Sequence, residues 1–111
     1  MKQSFLGILV GVALILGQTT PVFALEEYHL TIKDHKFTPA KFTIPANTKV
    51  KLIVKNQDPT PEEFESQKLH REKVIQGNGQ AIIFVGPLDP GSYPFVGEFH
   101  EDTAKGQIIV K

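Results

Sequence analysis

Half of the twelve acidic side chains of this chain lie in two short segments. These six acids are Glu62, Glu63, Glu65, Glu98, Glu101 and Asp102. His100 lies inside the second segment, and carboxylates with one imidazole form a ligand set that suits iron, copper(II), manganese or zinc. Runs of acidic residues are also common on solvated surfaces. The pattern is therefore compatible with a metal site and with an ordinary charged surface.

In the first segment, the alternation of a β-strand predicts which carboxylates share a face. Side chains two apart lie on the same side of a strand, so Glu62 is expected beside Phe64, which we predict to be buried. Glu62 is the first candidate ligand, because a buried carboxylate is costly unless it is paired or bound to a metal. Glu63 and Glu65 point to the other side, and a β-bulge would reverse this assignment.

The second segment adds His100 as a candidate ligand, with Glu98 and Asp102 beside it. The chain's other histidines are predicted to be solvated, on a polar strand face, in a turn and in a charged run. They are His29, His35 and His70, with a ligand role for His70 near the acidic segment left open as an alternative. The predicted metal ligands are Glu62, Glu98, His100 and Asp102, followed by Glu63 and Glu65.

The composition excludes several classes of function. The chain has no cysteine, so it has no thiolate ligand, thiol nucleophile or disulfide. Twelve basic residues balance twelve acidic ones, giving a formal net charge of +0. This balance lacks the basic excess that favours nucleic acids or anionic membranes, so neither partner is expected.

The N-terminus has the pattern of a cleavable signal peptide. Lys2 precedes an apolar run from Phe5 to Leu16, which is shorter than the roughly 20 residues that a membrane-spanning helix needs. Val22 and Ala24 supply the small side chains that signal peptidase requires. The sequence therefore predicts a signal peptide over residues 1–24, one domain over residues 25–111 and a location in the periplasm. An uncleaved membrane anchor is the alternative.

The rest of the chain has the pattern of a β-protein. Alternation of apolar and polar residues, bounded by turns rich in Pro, Gly and Asn, predicts strands. Between Glu62 and Ile75 the apolar residues form no helical stripe, so we predict two short strands there. The other predicted strands are residues 27–33, 41–44, 49–55, 80–85, 93–95 and 107–110. Seven or eight short strands in so short a chain predict an all-β, Greek-key β-sandwich.

Three sequence stretches resemble the cupredoxins. They are Val54-Lys55-Asn56-Gln57-Asp58, the run from Gly91 to His100, and Gly106-Gln107-Ile108-Ile109-Val110. The resemblance implies a cupredoxin-like sandwich, in which the first copper-binding histidine falls on Glu62, the cysteine on Gly97 and the second histidine on His100. The axial methionine falls near Asp102 or Thr103. Without the thiolate, a blue-copper centre is excluded, and Gly97 is expected to leave room for water or another ligand.

The segments 60–66, 71–75 and 97–104 resemble a cysteine-free cupredoxin branch that accompanies bacterial iron-uptake systems. This resemblance implies a periplasmic protein that binds iron or copper and assists oxidation of ferrous iron or its delivery. The expected partners are a membrane iron permease and other periplasmic iron-uptake proteins, and the domain is expected to have no turnover of its own. Two alternatives stay open, a metal-free interaction module and a copper-dependent ferrous oxidase.

The export hypothesis predicts the N-terminus of the mature protein. Cleavage after Ala24 should leave Leu25 as the first residue, and intact-mass spectrometry of the protein recovered from the periplasmic fraction measures this directly. A full-length product retained in the membrane fraction would contradict the hypothesis and support the uncleaved anchor.

Overall fold

A computed structural model describes residues 24–111. The predicted signal peptide, residues 1–24, lies outside the described residues apart from Ala24, so that assignment stays a prediction. Within the described part, no helix is long and apolar enough to cross a membrane.

Residues 24–111 form nine β-strands and one short 3₁₀ turn, Glu98–His100. Most strands alternate between buried and more exposed side chains, as β4 does from Val50 to Asn56, because one face of each sheet covers the core. The edge strand β6 is exposed from Arg71 to Val74. The strands are β1 (Glu27–Lys33), β2 (Lys36–Thr38), β3 (Lys41–Ile44), β4 (Val50–Asn56), β5 (Glu62–Ser66), β6 (Arg71–Ile75), β7 (Gln80–Val85), β8 (Gly91–Gly97) and β9 (Lys105–Val110).

The strands form two mixed sheets, one with the order β2-β1-β4-β7 and one with the order β3-β9-β8-β5-β6. The pairs β1/β4 and β3/β9 are parallel, and the other described pairs are antiparallel. The predicted all-β sandwich is confirmed, and β5 and β6 are the two strands expected between Glu62 and Ile75. The strand β2 was not predicted, because three residues with one buried side chain, Phe37, are too short to show a period.

Aromatic rings fill the centre of the space between the two sheets. The Phe95 ring stacks on Phe64 with centroids 5.0 Å apart, and Phe37 packs edge-on against Phe95 at 4.9 Å. All three side chains are buried. Edge-to-face and stacked contacts add to the free energy gained by burying the rings, so this cluster joins β2 to β5 and β8.

Three segments meet at one end of the sandwich. β5 begins at Glu62, β8 ends at Gly97 opposite Phe64, and the 3₁₀ turn follows directly. The turn between β1 and β2 contains Asp34 and His35, both with positive φ. Asp58 lies in the loop after β4 and accepts hydrogen bonds from the backbone N–H groups of Asp34 and His35 at 2.8 and 3.0 Å.

The aromatic cluster predicts the cost of truncating Phe95. Phe95→Ala should lower the free energy of unfolding by about 3–5 kcal/mol, because a buried ring is replaced by a cavity. Urea unfolding followed by far-UV circular dichroism measures this change. Phe99→Ala is the matched control, since Phe99 is 50% exposed and its truncation should change stability by about 0.5 kcal/mol or less. Equal losses in the two variants would contradict the packing described here.

Candidate metal centre

Glu62 is a buried carboxylate with only 1% of its surface exposed. Its Oε1 accepts hydrogen bonds from the backbone N–H groups of Phe99, at 2.9 Å, and Glu63, at 3.1 Å. Its Oε2 lies 2.6 Å from Nδ1 of His100. Burial of this charge is tolerable because both oxygens have partners.

The ring of His100 stacks on the ring of His35. The two centroids are 3.5 Å apart and the planes are inclined by 13°. Nδ1 of His35 lies 3.5 Å from Oδ2 of Asp58, a second buried carboxylate. The hydrogen bonds from the backbone N–H groups of His35 and Asp34 outweigh the effect of burial and hold the pKa of Asp58 below its usual value.

The two histidines therefore have similar surroundings. Each imidazole faces a buried carboxylate through Nδ1, which leaves Nε2 for another partner, and both rings are partly exposed. One ligand atom from each of His35, Glu62 and His100 lies within 4.8 Å of the others. Two imidazoles and a carboxylate suit Cu(II), Fe(II) or Zn(II). Because the rings are nearly parallel, one of them must turn for both to bind the same ion.

The space beside the Gly97 backbone is occupied by the Glu62 side chain. A Cβ at position 97 would lie 2.7 Å from Cδ of Glu62 and 2.7 Å from Cβ of Ala104. The expectation that Gly97 leaves room for water or a further ligand was therefore wrong. The Glu62 side chain therefore fills the space that a side chain at position 97 would need.

A second group of carboxylates lies on the opposite face of β5. We call it the acidic quartet, and its members are Glu63, Glu65, Glu72 and Glu98. One oxygen from each lies within 4.8 Å of the others, and Glu65 lies directly across from Glu72 in the β5/β6 pair.

Proton sharing within the acidic quartet changes three pKa values. Hydrogen bonds to Glu98, with smaller contributions from burial and neighbouring negative charges, raise the pKa of Glu63 and of Glu65 to about 7. The same hydrogen bonds lower the pKa of Glu98. Near neutral pH the quartet is thus partly protonated, because four charges so close together repel one another.

The structure places the predicted residues in two groups instead of one. Glu62 and His100 come together, whereas Glu98 lies with Glu63 and Glu65 in the acidic quartet. Asp102 is exposed and belongs to neither group found in residues 24–111. The expectation that both acidic segments converge on one site was therefore wrong in its geometry, and the ligand roles stay predictions.

His35 is the residue of this site that the sequence did not reveal. It was expected to be solvated, yet it stacks on His100. The position of His35 follows from the parallel pairing of β1 with β4, which puts Ile32 opposite Asn56. This pairing brings the turn after β1 beside the loop that holds Asp58. That pairing cannot be read from the alternation of the single strands.

Comparisons with known proteins agree with this architecture. The family model described as "Cupredoxin-like domain" matches residues 6–110. A protein of Rickettsia prowazekii (strain Madrid E), named "Uncharacterized protein RP394", is 51% identical over 84 residues, which are 76% of this chain and 67% of that protein.

Two solved structures share the fold at low sequence identity. The metal binding domain of the Cu(I) exporting P-type ATPase CopA from Streptococcus pneumoniae D39, solved with Cu(I), has a TM-score of 0.71 and 13% identity, covering 83% of this chain and 91% of that one. Auracyanin A, a "blue" copper protein from Chloroflexus aurantiacus, has a TM-score of 0.67 and 11% identity, covering 79% and 100%.

The raised pKa values of the acidic quartet predict how stability depends on pH. Because Glu65 has a pKa of about 7 in the fold against 4.5 ordinarily, the folded protein binds extra protons between these values. Stability should therefore fall as pH rises from about 4.5 to about 7. Glu65→Gln imitates the protonated form and should raise the midpoint of thermal unfolding at about pH 8 more than at about pH 5.

Differential scanning fluorimetry with a chelator present measures these midpoints. Asp102→Asn removes the same charge outside the quartet and is the control. A rise that is equal for both variants, or equal at both pH values, would contradict the proximity of the four carboxylates.

Proposed function

Because this chain belongs to the family of cupredoxin-like domains, we propose that it is a periplasmic metal-binding protein of an iron-uptake system. It binds copper or iron and assists oxidation of ferrous iron or its delivery to a membrane iron permease. The observation that carries the proposal is the stacked pair His35 and His100, each backed by a buried carboxylate.

His100 and His35 would hold the ion through Nε2. Glu62 contacts Nδ1 of His100, so it fixes the tautomer and the direction of the ring. Carboxylates that hold a ligating histidine in this way raise its basicity and orient it. Asp58 faces Nδ1 of His35 in the same manner, at 3.5 Å. In this arrangement Glu62 supports the ligand His100, and it becomes a direct ligand only if it gives up one of its present partners.

Copper(II) is the ion that the histidine pair fits best. Imidazole is a borderline ligand, and among the divalent ions of the first transition row copper(II) binds most strongly to nitrogen sites. The fold neighbours include a domain solved with Cu(I) and a blue copper protein. When bound, copper supplies one-electron redox chemistry.

The acidic quartet supports a role for iron beside the histidine pair. An all-oxygen set of carboxylates is hard, and it favours Fe(III) over Fe(II). Glu62 and Glu63 are neighbours on opposite faces of β5, and Glu98 is two residues from His100. Iron, the substrate in this proposal, would thus be bound by the quartet a short distance from the ion at the histidines.

Copper(II) titration of the metal-free protein tests the proposal. We expect one saturable site without intense blue colour, measured by calorimetry and by electron paramagnetic resonance showing nitrogen coordination. His100→Ala and His35→Ala should each weaken binding at least tenfold, and Glu62→Gln should weaken it about 10- to 100-fold, as expected for a residue that orients a ligand. Affinity should fall as pH is lowered, because protons compete with the metal ion for the imidazole nitrogens.

His29→Ala is the matched control, since His29 is exposed on β1 and belongs to no ligand group found in the described chain. Unchanged affinity in both His35→Ala and His100→Ala would show that the site is wrongly placed. Absence of saturable binding would favour the metal-free interaction module. Repeated turnover of Fe(II) with oxygen by the copper-loaded protein would favour the ferrous oxidase.

A further inference from the structure

The outer face of the four-stranded sheet combines apolar and basic side chains. The register of β4 with β7 puts Lys51 opposite Phe84 and Ile53 opposite Ile82. These positions face away from the core, because their neighbours in each strand are buried. Ile82 and Phe84 are 46% and 43% exposed. We call this surface the basic face.

Positive charge surrounds the apolar centre of the basic face. Nζ of Lys49 lies 5.0 Å from the centroid of Phe84, and Arg71 donates a hydrogen bond from Nε to the carbonyl oxygen of Phe84 at 2.9 Å. Lys73 lines a shallow depression with Arg71, Ile82 and one acid, Glu72. Around Phe84, the cationic side chains therefore come from β4, β6 and the residue before β4.

Positive charge is also in excess across the whole outer face of the four-stranded sheet. Among the described residues, the charged side chains at outward positions of its four strands are four lysines and one acid. They are Lys33, Lys36, Lys51, Lys55 and Glu27. Glu27 is already paired with Lys51 at 3.4 Å.

The zero net charge of the chain hides a separation of charge. The outward lysines of the basic face lie on the four-stranded sheet, and the acidic quartet lies on β5, β6 and the adjoining turn of the other sheet. The two surfaces meet at β6, where Glu72 stands between Arg71 and Lys73. Association with a charged surface depends on the local potential. The argument from net charge against anionic membranes therefore does not apply to this face.

We propose that the basic face docks reversibly on an anionic phospholipid surface. Exposed apolar side chains ringed by lysines suit the interface of a bilayer, where the apolar groups enter the headgroup region and the amines meet lipid phosphates. Lysine favours lipid over a protein partner here, because protein interfaces are depleted in lysine and enriched in arginine. The surrounding cations are mostly lysines, so the chemistry matches diffuse attraction to headgroups.

Docking in this way directs Glu63, Glu65 and Glu98 of the acidic quartet away from the lipid, because they belong to the opposite sheet and its adjoining turn. Glu72 lies at the edge of the basic face, where it lines the depression with Ile82 and Phe84. The proposal depends only on the basic face and holds whether or not the histidine pair binds a metal.

Flotation with unilamellar vesicles tests the proposal. The full chain is expressed with its export signal, and the N-terminus of the purified product is fixed by mass spectrometry. We expect partition onto phosphatidylcholine vesicles containing phosphatidylglycerol, weaker partition onto phosphatidylcholine alone, and loss of binding as salt is raised. The triple variant Lys49→Gln, Lys51→Gln, Lys55→Gln should partition less by on the order of a hundredfold, at about fivefold for each lysine near the surface.

The control is the triple variant Lys41→Gln, Lys105→Gln, Lys111→Gln, which removes three exposed lysines outside the basic face. It should partition like the unaltered protein. Phe84→Gln should weaken partition severalfold, whereas Phe99→Gln, which changes an exposed ring outside the basic face, should leave it unchanged.

Three results would overturn the proposal. Equal losses in the two lysine variants would show that overall charge, not the basic face, governs binding. Equal partition onto neutral and anionic vesicles would point to the apolar N-terminal segment or to nonspecific adsorption. Absence of vesicle binding, with self-association in sedimentation velocity that only the Lys49, Lys51 and Lys55 variant loses, would assign the face to a second copy of the chain.

Discussion

The burial of one carboxylate, Glu62, determines the geometry of this end of the sandwich. A buried charge without partners is strongly destabilising, so the surrounding backbone supplies them. The N–H groups of Glu63 and Phe99 meet Oε1, and Nδ1 of His100 meets Oε2. A Cβ at position 97 would lie 2.7 Å from Cδ of Glu62, so any larger residue there would displace the carboxylate or its neighbours. The turn from Gly97 to His100 is therefore arranged around the Glu62 side chain.

Much of the fold could be predicted because, in most strands, apolar and polar residues alternate in the sequence as buried and exposed side chains alternate in the structure. In β4, buried Val50, Leu52 and Val54 alternate with less buried residues, and a helix over the Glu62–Ile75 segment was rejected for lack of an apolar stripe. Pairing between strands could not be predicted in the same way. It depends on contacts between distant residues, such as the parallel pair β1/β4, and the position of His35 depends on that pair. The sequence showed His35 as a turn residue because its partners lie far along the chain.

The candidate site divides at β5, and this division explains which predicted side-chain positions agree with the structure. Strand alternation predicted that Glu62 lies inside and that Glu63 and Glu65 lie outside, as found. It could not predict the 3₁₀ turn after β8, in which Glu98 and His100 leave the backbone in different directions. As a result, Glu98 joins Glu63 and Glu65 in the acidic quartet, whereas His100 reaches Glu62 on the inner side. Proximity in sequence was a poor guide, because a tight turn separates side chains only two residues apart.

The two sides of β5 provide donor sets of different hardness close together. The inner side offers imidazole nitrogens held by buried carboxylates, and the outer side offers carboxylate oxygens that repel one another. In the quartet, part of this repulsion is relieved by protons, since the pKa values of Glu63 and Glu65 are raised to about 7. A cation bound there would relieve the same repulsion, so it must displace these protons, and its affinity must rise with pH through the same range. Protons and a hard cation therefore compete for the same carboxylates, because either one reduces their mutual repulsion. The pairing of Glu65 with Glu72 across β5 and β6 brings two of these charges together.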